Sequence, residues 1–170
     1  FGLDLGDEAA VVGLDREAGY KEIVEMPELR PKGLLQDDVE DLDTLLGVAE
    51  RAQAVLTGML ADPESWEPLN EHVRHIKDGA ARKLGWVDDA LDPGTKQKAS
   101  AARKVENEMD GDVRGLTDAT RLTIKFQGSE KMAAALRELR SGGVPECEVV
   151  EFKNKFADPS ALGYRDINTR

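Results

Sequence analysis

Hydrophobic and polar positions change period several times along this chain. Between Arg121 and Phe126 they alternate, with Leu122, Ile124 and Phe126 on one face and Arg121, Thr123 and Lys125 on the other, which predicts a strand. Ser129 is placed to cap the next element, Met132, Leu136 and Leu139 give it a helical stripe, and Gly142-Gly143 stop it. Alternation returns from Cys147 to Phe156, with Val150 and Phe152 facing in and Glu151, Lys153 and Lys155 facing out. A turn and a last strand follow. Residues 113–170 therefore predict a small mixed β-α-β-β sheet unit with one apolar and one charged sheet face.

Helical spacing dominates the stretch before it. Over 37–61, Val39, Leu42, Leu45, Leu46, Ala49, Ala52, Val55, Leu56, Met59 and Leu60 share one broad face. Asp37, Asp38, Glu40, Asp41 and Asp43 crowd its start, where the helix dipole favours negative charge; EF-hand spacing and its central glycine are missing. Leu69, Val73, Ile76, Ala80 and Leu84 predict a second helix from Pro68 to Leu84, ended by Gly85-Trp86, with His72 and His75 one turn apart beside Glu71. Two histidines can reach one metal, but no third ligand accompanies them, and surface histidines are the preferred reading. After an Asp92-Pro93-Gly94 turn, Ala99, Ala102, Val105 and Met109 predict a third helix over Thr95–Met109, closed by Gly111. Residues 1–35 show no sustained period and read as a hairpin around Asp15-Arg16-Glu17 or as an extended arm. The expected architecture is α+β and one compact domain: an arm over 1–35, a helical region over 36–112, and an α/β core over 113–170 against whose apolar face the helices pack.

Composition narrows the function classes. At 170 residues the chain can bury roughly 70% of its unfolded surface, so a core needs no disulfide staples. The single cysteine, Cys147, is expected as a buried core thiol. No stretch approaches the roughly 20 apolar residues of a membrane span, which suits a soluble protein. A net charge of −11 disfavours general binding to nucleic acid or anionic lipid and suits a basic protein partner, while a local Lys/Arg cluster could still hold a nucleotide. The chain opens at Phe1 without a leader-like segment, which reads as a processed or trimmed chain within a larger assembly.

One set of short motifs is distinctive. Lys104-Val105, Gly111-Asp112, Leu116-Thr117-Asp118, Arg121, Lys153-Asn154-Lys155-Phe156 and Gly163-Tyr164-Arg165-Asp166 follow one another over residues 95–170. This stretch resembles the RelA/SpoT-like nucleotidyltransferase (alarmone synthetase-like) domains, and more closely algal and protist proteins with a D-x-x-R … K-N-R-F-x-x-P … G-Y-R-D pattern. The resemblance implies a nucleotidyltransferase-type sheet. It implies that Asp118 is the catalytic, Mg²⁺-binding carboxylate, that Arg121, Lys153 and Lys155 hold phosphates, and that Tyr164 stacks on a base. Pyrophosphoryl transfer needs such types, because it is mainly positioning and charge neutralisation.

The chain also departs from that pattern. Asp166 and Asn168 stand where synthetases carry the Ser and His of G-Y-x-S-x-H; the later E-x-Q carboxylate has no counterpart; and the basic donor-binding motif is reduced to Lys96, Lys98, Arg103 and Lys104. Asp118 and Arg121, three apart, share a side only if Asp118 precedes the strand proper. The expected function is therefore a degenerate, non-catalytic domain serving as an accessory or scaffold subunit, with protein partners of basic or apolar surface. The alternative is a Mg²⁺-dependent nucleotide pyrophosphokinase or a nucleotide sensor. The algal flavour of the motif adds a plastid location as an expectation.

Overall fold

A computed structural model describes residues 18–30, 36, 39–145, 147–163 and 165–170. The fold is α+β, and it divides into two units: one spans 33–125, the other joins 1–32 to 126–170.

In the unit 33–125, helix α2 (Leu42–Leu60) starts at Asp41, whose Oδ1 accepts the Thr44 N–H at 2.8 Å. Its inner face carries Leu45, Ala49 and Leu60, together with the polar Gln53 and Thr57. Helix α3 (Lys98–Glu108) packs Ala101 and Val105 against Leu45 and Ala49, and Val39, Leu116 and Ala119 close that cluster. A second cluster, of Leu60, Ala61, Trp66, Ile76, Val87 and Ala90, joins the end of α2 to a four-stranded antiparallel sheet. The strands are β1 (Trp66–Pro68), β2 (Arg74–Ile76), β3 (Asp89–Asp92) and β4 (Thr123–Lys125), hydrogen-bonded in that order.

The predicted helix over Pro68–Leu84 is instead the β1–β2 hairpin, with Trp66 opposite Ile76 and Glu67 opposite His75. Asn70 turns the chain: its Oδ1 accepts the N–H groups of His72 and Val73 at 2.8 and 3.0 Å, an Asx turn that competes with helix. The helical spacing of Val73 and Ile76 survives, but cross-strand pairing and burial of Trp66 and Ile76 decide the conformation.

One buried polar cluster ties this unit together. The Gln53 amide donates to Asp92 Oδ1 and to the Arg121 carbonyl, both at 2.7 Å, and Gln53 Oε1 accepts the Arg121 N–H at 2.9 Å. Asp92, 1% exposed, also accepts the Gly94 N–H at 2.8 Å and the Arg74 guanidinium, whose Nε lies 3.1 Å away. Arg74 in turn covers the Trp66 ring at 5.9 Å.

In the other unit, helix α1 (Ala18–Glu25) lies against helix α4 (Ser129–Arg140). Tyr20–Val24, expected as part of an arm or hairpin, is thus helical; the expected turn at Asp15-Arg16-Glu17 lies outside the described residues. Gly19 sets the approach of the two helices: a Cβ there would fall 2.4 Å from the Glu130 backbone nitrogen. Helix α4 is capped by Gly128 rather than Ser129, and Gly142, at φ 75°, follows its end. Strand β5 (Phe152–Asn154) pairs antiparallel with β6 (Ile167–Thr169). Phe152 is fully buried with Ile23, Ala133 and Leu136, beneath the Arg140 guanidinium at 4.6 Å from its ring centroid. Asn154, 2% exposed, donates to the carbonyls of Ile23 and Met26 at 2.6 and 3.1 Å. Its Oδ1 accepts the Phe156 N–H at 3.1 Å.

The expected mixed β-α-β sheet does not form. β4 completes the sheet of β1–β3, while β5 pairs with β6, and all of these pairings are antiparallel. Alternation identified the strands but carries no information on their partners. Cys147 is half-buried in the loop before β5, not a core thiol, because that strand begins only at Phe152.

Gln53→Leu strips partners from a buried carboxylate and from both backbone groups of Arg121. It should cost about 2–4 kcal/mol, read as a lower urea midpoint at unchanged slope. Gly19→Ala forces α1 off α4 and should cost about 1–3 kcal/mol in the same measurement. A Gly19→Ala melt matching wild type would show that the close approach is not required.

Candidate functional site around Asp118

Asp118 is placed by anchors on either side of it. Leu116 and Ala119 are buried in the α2–α3 cluster, the Ala119 carbonyl accepts the Lys96 N–H at 2.8 Å, and Thr120 Oγ1 donates to the Ala49 carbonyl at 3.1 Å. Gln53 then clamps Arg121 through its backbone. Asp118 and Arg121 both precede β4, so strand parity does not set them apart.

Two ammonium groups converge on one carboxylate oxygen. Lys104 Nζ donates to Asp118 Oδ2 at 2.7 Å and Lys96 Nζ donates to the same atom at 3.1 Å. Lys104 also stands 4.0 Å from Glu108, one turn along α3. Burial alone would push the Asp118 carboxyl up, but the hydrogen bonds and charges of Lys104 and Lys96 outweigh it and hold it below the usual carboxylate range. Asp118 Oδ1 is buried and has no hydrogen-bond partner among the described residues.

Both lysines also line a cleft of about 150 Å³, together with Ser100, Arg103, Asn107 and Glu108. Lys98 points elsewhere and pairs with Asp43 at 2.5 Å. Of the four basic residues noted in the sequence here, three line one cleft.

The remaining candidates divide between the units. Arg121 belongs with Asp118 to 33–125; its Nε is buried and unpartnered among the described residues. Lys153 and Lys155 belong to the other unit. Lys153 Nζ pairs with Glu151 at 3.2 Å, and Glu151 also takes Arg170 at 3.0 Å. Lys155 Nζ pairs with Asp166 at 3.3 Å. Tyr164 lies outside the described residues.

His72 and His75 do not share a helix face. His75 sits on β2 with Nε2 3.2 Å from Glu67, and His72, in the hairpin loop, sits 3.1 Å from Glu71. Among the described residues no group of three His, Cys, Asp or Glu side chains could hold a metal ion. No helix among them is long and apolar enough to cross a membrane.

Sequence reasoning missed Gln53 and Asp92, which set the course of the chain toward Asp118. A signal existed for Gln53. It falls four residues after Ala49 and four before Thr57, on the stripe that faces the core.

Asp118→Asn should destabilise by about 1 kcal/mol at neutral pH, since it removes the partly buried negative charge that both Lys104 and Lys96 face. The folded-state pKa of Asp118 is lowered, so its contribution is full above the usual carboxylate range and fades as pH falls through the folded value. Urea melts of both proteins should therefore converge in acid; a gap independent of pH would contradict the assignment. No protein-family model, curated protein or solved structure matches this chain.

Proposed function

We propose that this chain is a degenerate, non-catalytic RelA/SpoT-like domain serving as an accessory subunit of a larger protein assembly. One observation carries the reading: Asp118, Lys153 and Lys155 are each paired with an opposite charge in their own unit. A transferase needs a carboxylate open to Mg²⁺ and cations open to phosphate. Asp118 presents its Oδ2 to two ammonium groups, surroundings that repel a divalent cation. Lys153 and Lys155 meet carboxylates at 3.2 and 3.3 Å before any phosphate arrives.

The surface supports protein contact. On the outer face of α2, Val48, Ala52 and Val55 are exposed at a spacing of four and three, an apolar strip one helix could cover. With a net charge of −11, the partner that fits is a protein with a basic surface around an apolar contact. The resemblance to algal and protist proteins extends the reading to a plastid assembly.

The test is a calorimetric titration with ATP and GDP, with and without Mg²⁺, followed by assay for AMP release. Mg²⁺ should not strengthen nucleotide binding, and no AMP should form. In native extract the chain should migrate with other subunits, and Val48→Asp should release it. Mg²⁺-dependent binding abolished by Asp118→Ala, or AMP formation, would overturn the proposal.

A further inference from the structure

We infer that the Asp78-Gly79 turn is a site of spontaneous backbone modification, where the aspartyl linkage rearranges to isoaspartyl through a cyclic imide. The sequence holds two Asp-Gly dipeptides, Asp78-Gly79 and Asp110-Gly111, and glycine leaves the attacking nitrogen unhindered at both. All four residues are exposed, so exposure does not separate the two. The hydrogen bonding of the backbone does.

The reacting groups are the glycine amide nitrogen and the aspartate side-chain carbon Cγ. A C–N bond forms between them, the bond from Cγ to the carboxyl hydroxyl breaks, and that hydroxyl leaves with the amide proton as water. Water then opens the imide at either carbonyl. Opening at Cγ restores aspartate; opening at the main-chain carbon routes the backbone through Cγ, which adds a methylene to it and leaves a free carboxylate on Cα.

At Asp78 the nitrogen is available. Residues 77–80 form a β-turn closed by the Ala80 N–H on the Lys77 carbonyl at 3.1 Å, with Gly79 at φ 73°. Among the described residues the Gly79 N–H meets no acceptor, and the Asp78 carboxylate meets no donor or cation. At Asp110 the nitrogen is engaged. The Gly111 N–H donates to the Val105 carbonyl at 3.1 Å, and the Asp112 N–H to the Met109 carbonyl at 2.9 Å, so both belong to the closure of α3. Releasing the Gly111 amide proton requires that end of the helix to open first, as in hydrogen exchange. The chain on either side of the Asp78 turn is pinned: the Lys77 N–H donates to the Ser65 carbonyl and the Lys83 N–H to the Leu60 carbonyl, both at 2.8 Å. The added methylene therefore falls in a segment held at both ends, outside the core.

The inference does not rest on the accessory role. It is tested on the whole folded chain, incubated at neutral pH in heavy-oxygen water, returned to ordinary water, digested and read by mass spectrometry. Hydrolysis of the imide leaves one heavy oxygen in the carboxyl of either product. The Asp78 peptide should gain label, together with an isoaspartyl form separable by chromatography, at least about tenfold faster than the Asp110 peptide. In urea, where both amides are free, the two peptides should label at similar rates. Asp78→Glu, whose side chain would have to close a larger ring, should melt like wild type and take up no label at that position. A folded chain in which Asp78 labels as slowly as Asp110 would overturn the inference. So would label that persists in Asp78→Glu, or the same rate ratio in urea, which would trace the difference to flanking sequence.

Discussion

A carboxylate buried almost completely is costly unless donors surround it. Asp92 meets that condition with the Gln53 amide, the Gly94 N–H and the Arg74 guanidinium, drawn from α2, the turn after β3, and β2. The same Gln53 side chain satisfies both backbone groups of Arg121, two residues before β4. One amide thus fixes where β4 begins relative to α2. That matters because a one-residue slip of β4 would turn Leu122 and Ile124 away from the Trp66–Ile76 cluster. Hydrophobic burial would hold α2 to the sheet in several registers; the polar cluster selects one.

The consequence reaches the site. Arg121 is held by Gln53 and Leu116 by the α2–α3 core, so the loop between them has little freedom, and Asp118 lies within it. The side chain is thereby delivered between Lys96, before α3, and Lys104, on it. In the other unit, Asn154 plays a comparable part: it faces inward beside Phe152 and ties β5 to the end of α1 through the carbonyls of Ile23 and Met26. Each unit therefore rests on a buried amide that links a helix to segments distant in sequence.

Those amides also mark the limit of what the sequence discloses. α2, α3 and α4 are legible because their apolar stripes are long enough for a 3.6-residue period to stand out, and β4 because it alternates. The β1–β2 hairpin is not, since Leu69, Val73 and Ile76 fit a helical stripe and only the Asn70 turn opposes it. Strand partners are equally silent: β3 spans four residues, and nothing in Asp89–Asp92 announces that β4 pairs with it. Among the candidate residues of the two units, the types were legible and the pairings were not. Asp118, Lys153 and Lys155 read as functional charges in isolation, whereas Lys104, Glu151 and Asp166 answer them in space.

This pairing changes what Asp118 is suited to do. A carboxylate that holds a metal is best surrounded by other oxygen ligands and by groups that raise its negative charge density. Asp118 has the opposite surroundings, two ammonium groups on a single oxygen, and its negative charge is spent on ordering them. The same two lysines also line the cleft beside α3. A residue that looks like a metal ligand in the sequence is, in this geometry, the positioning residue for two cations.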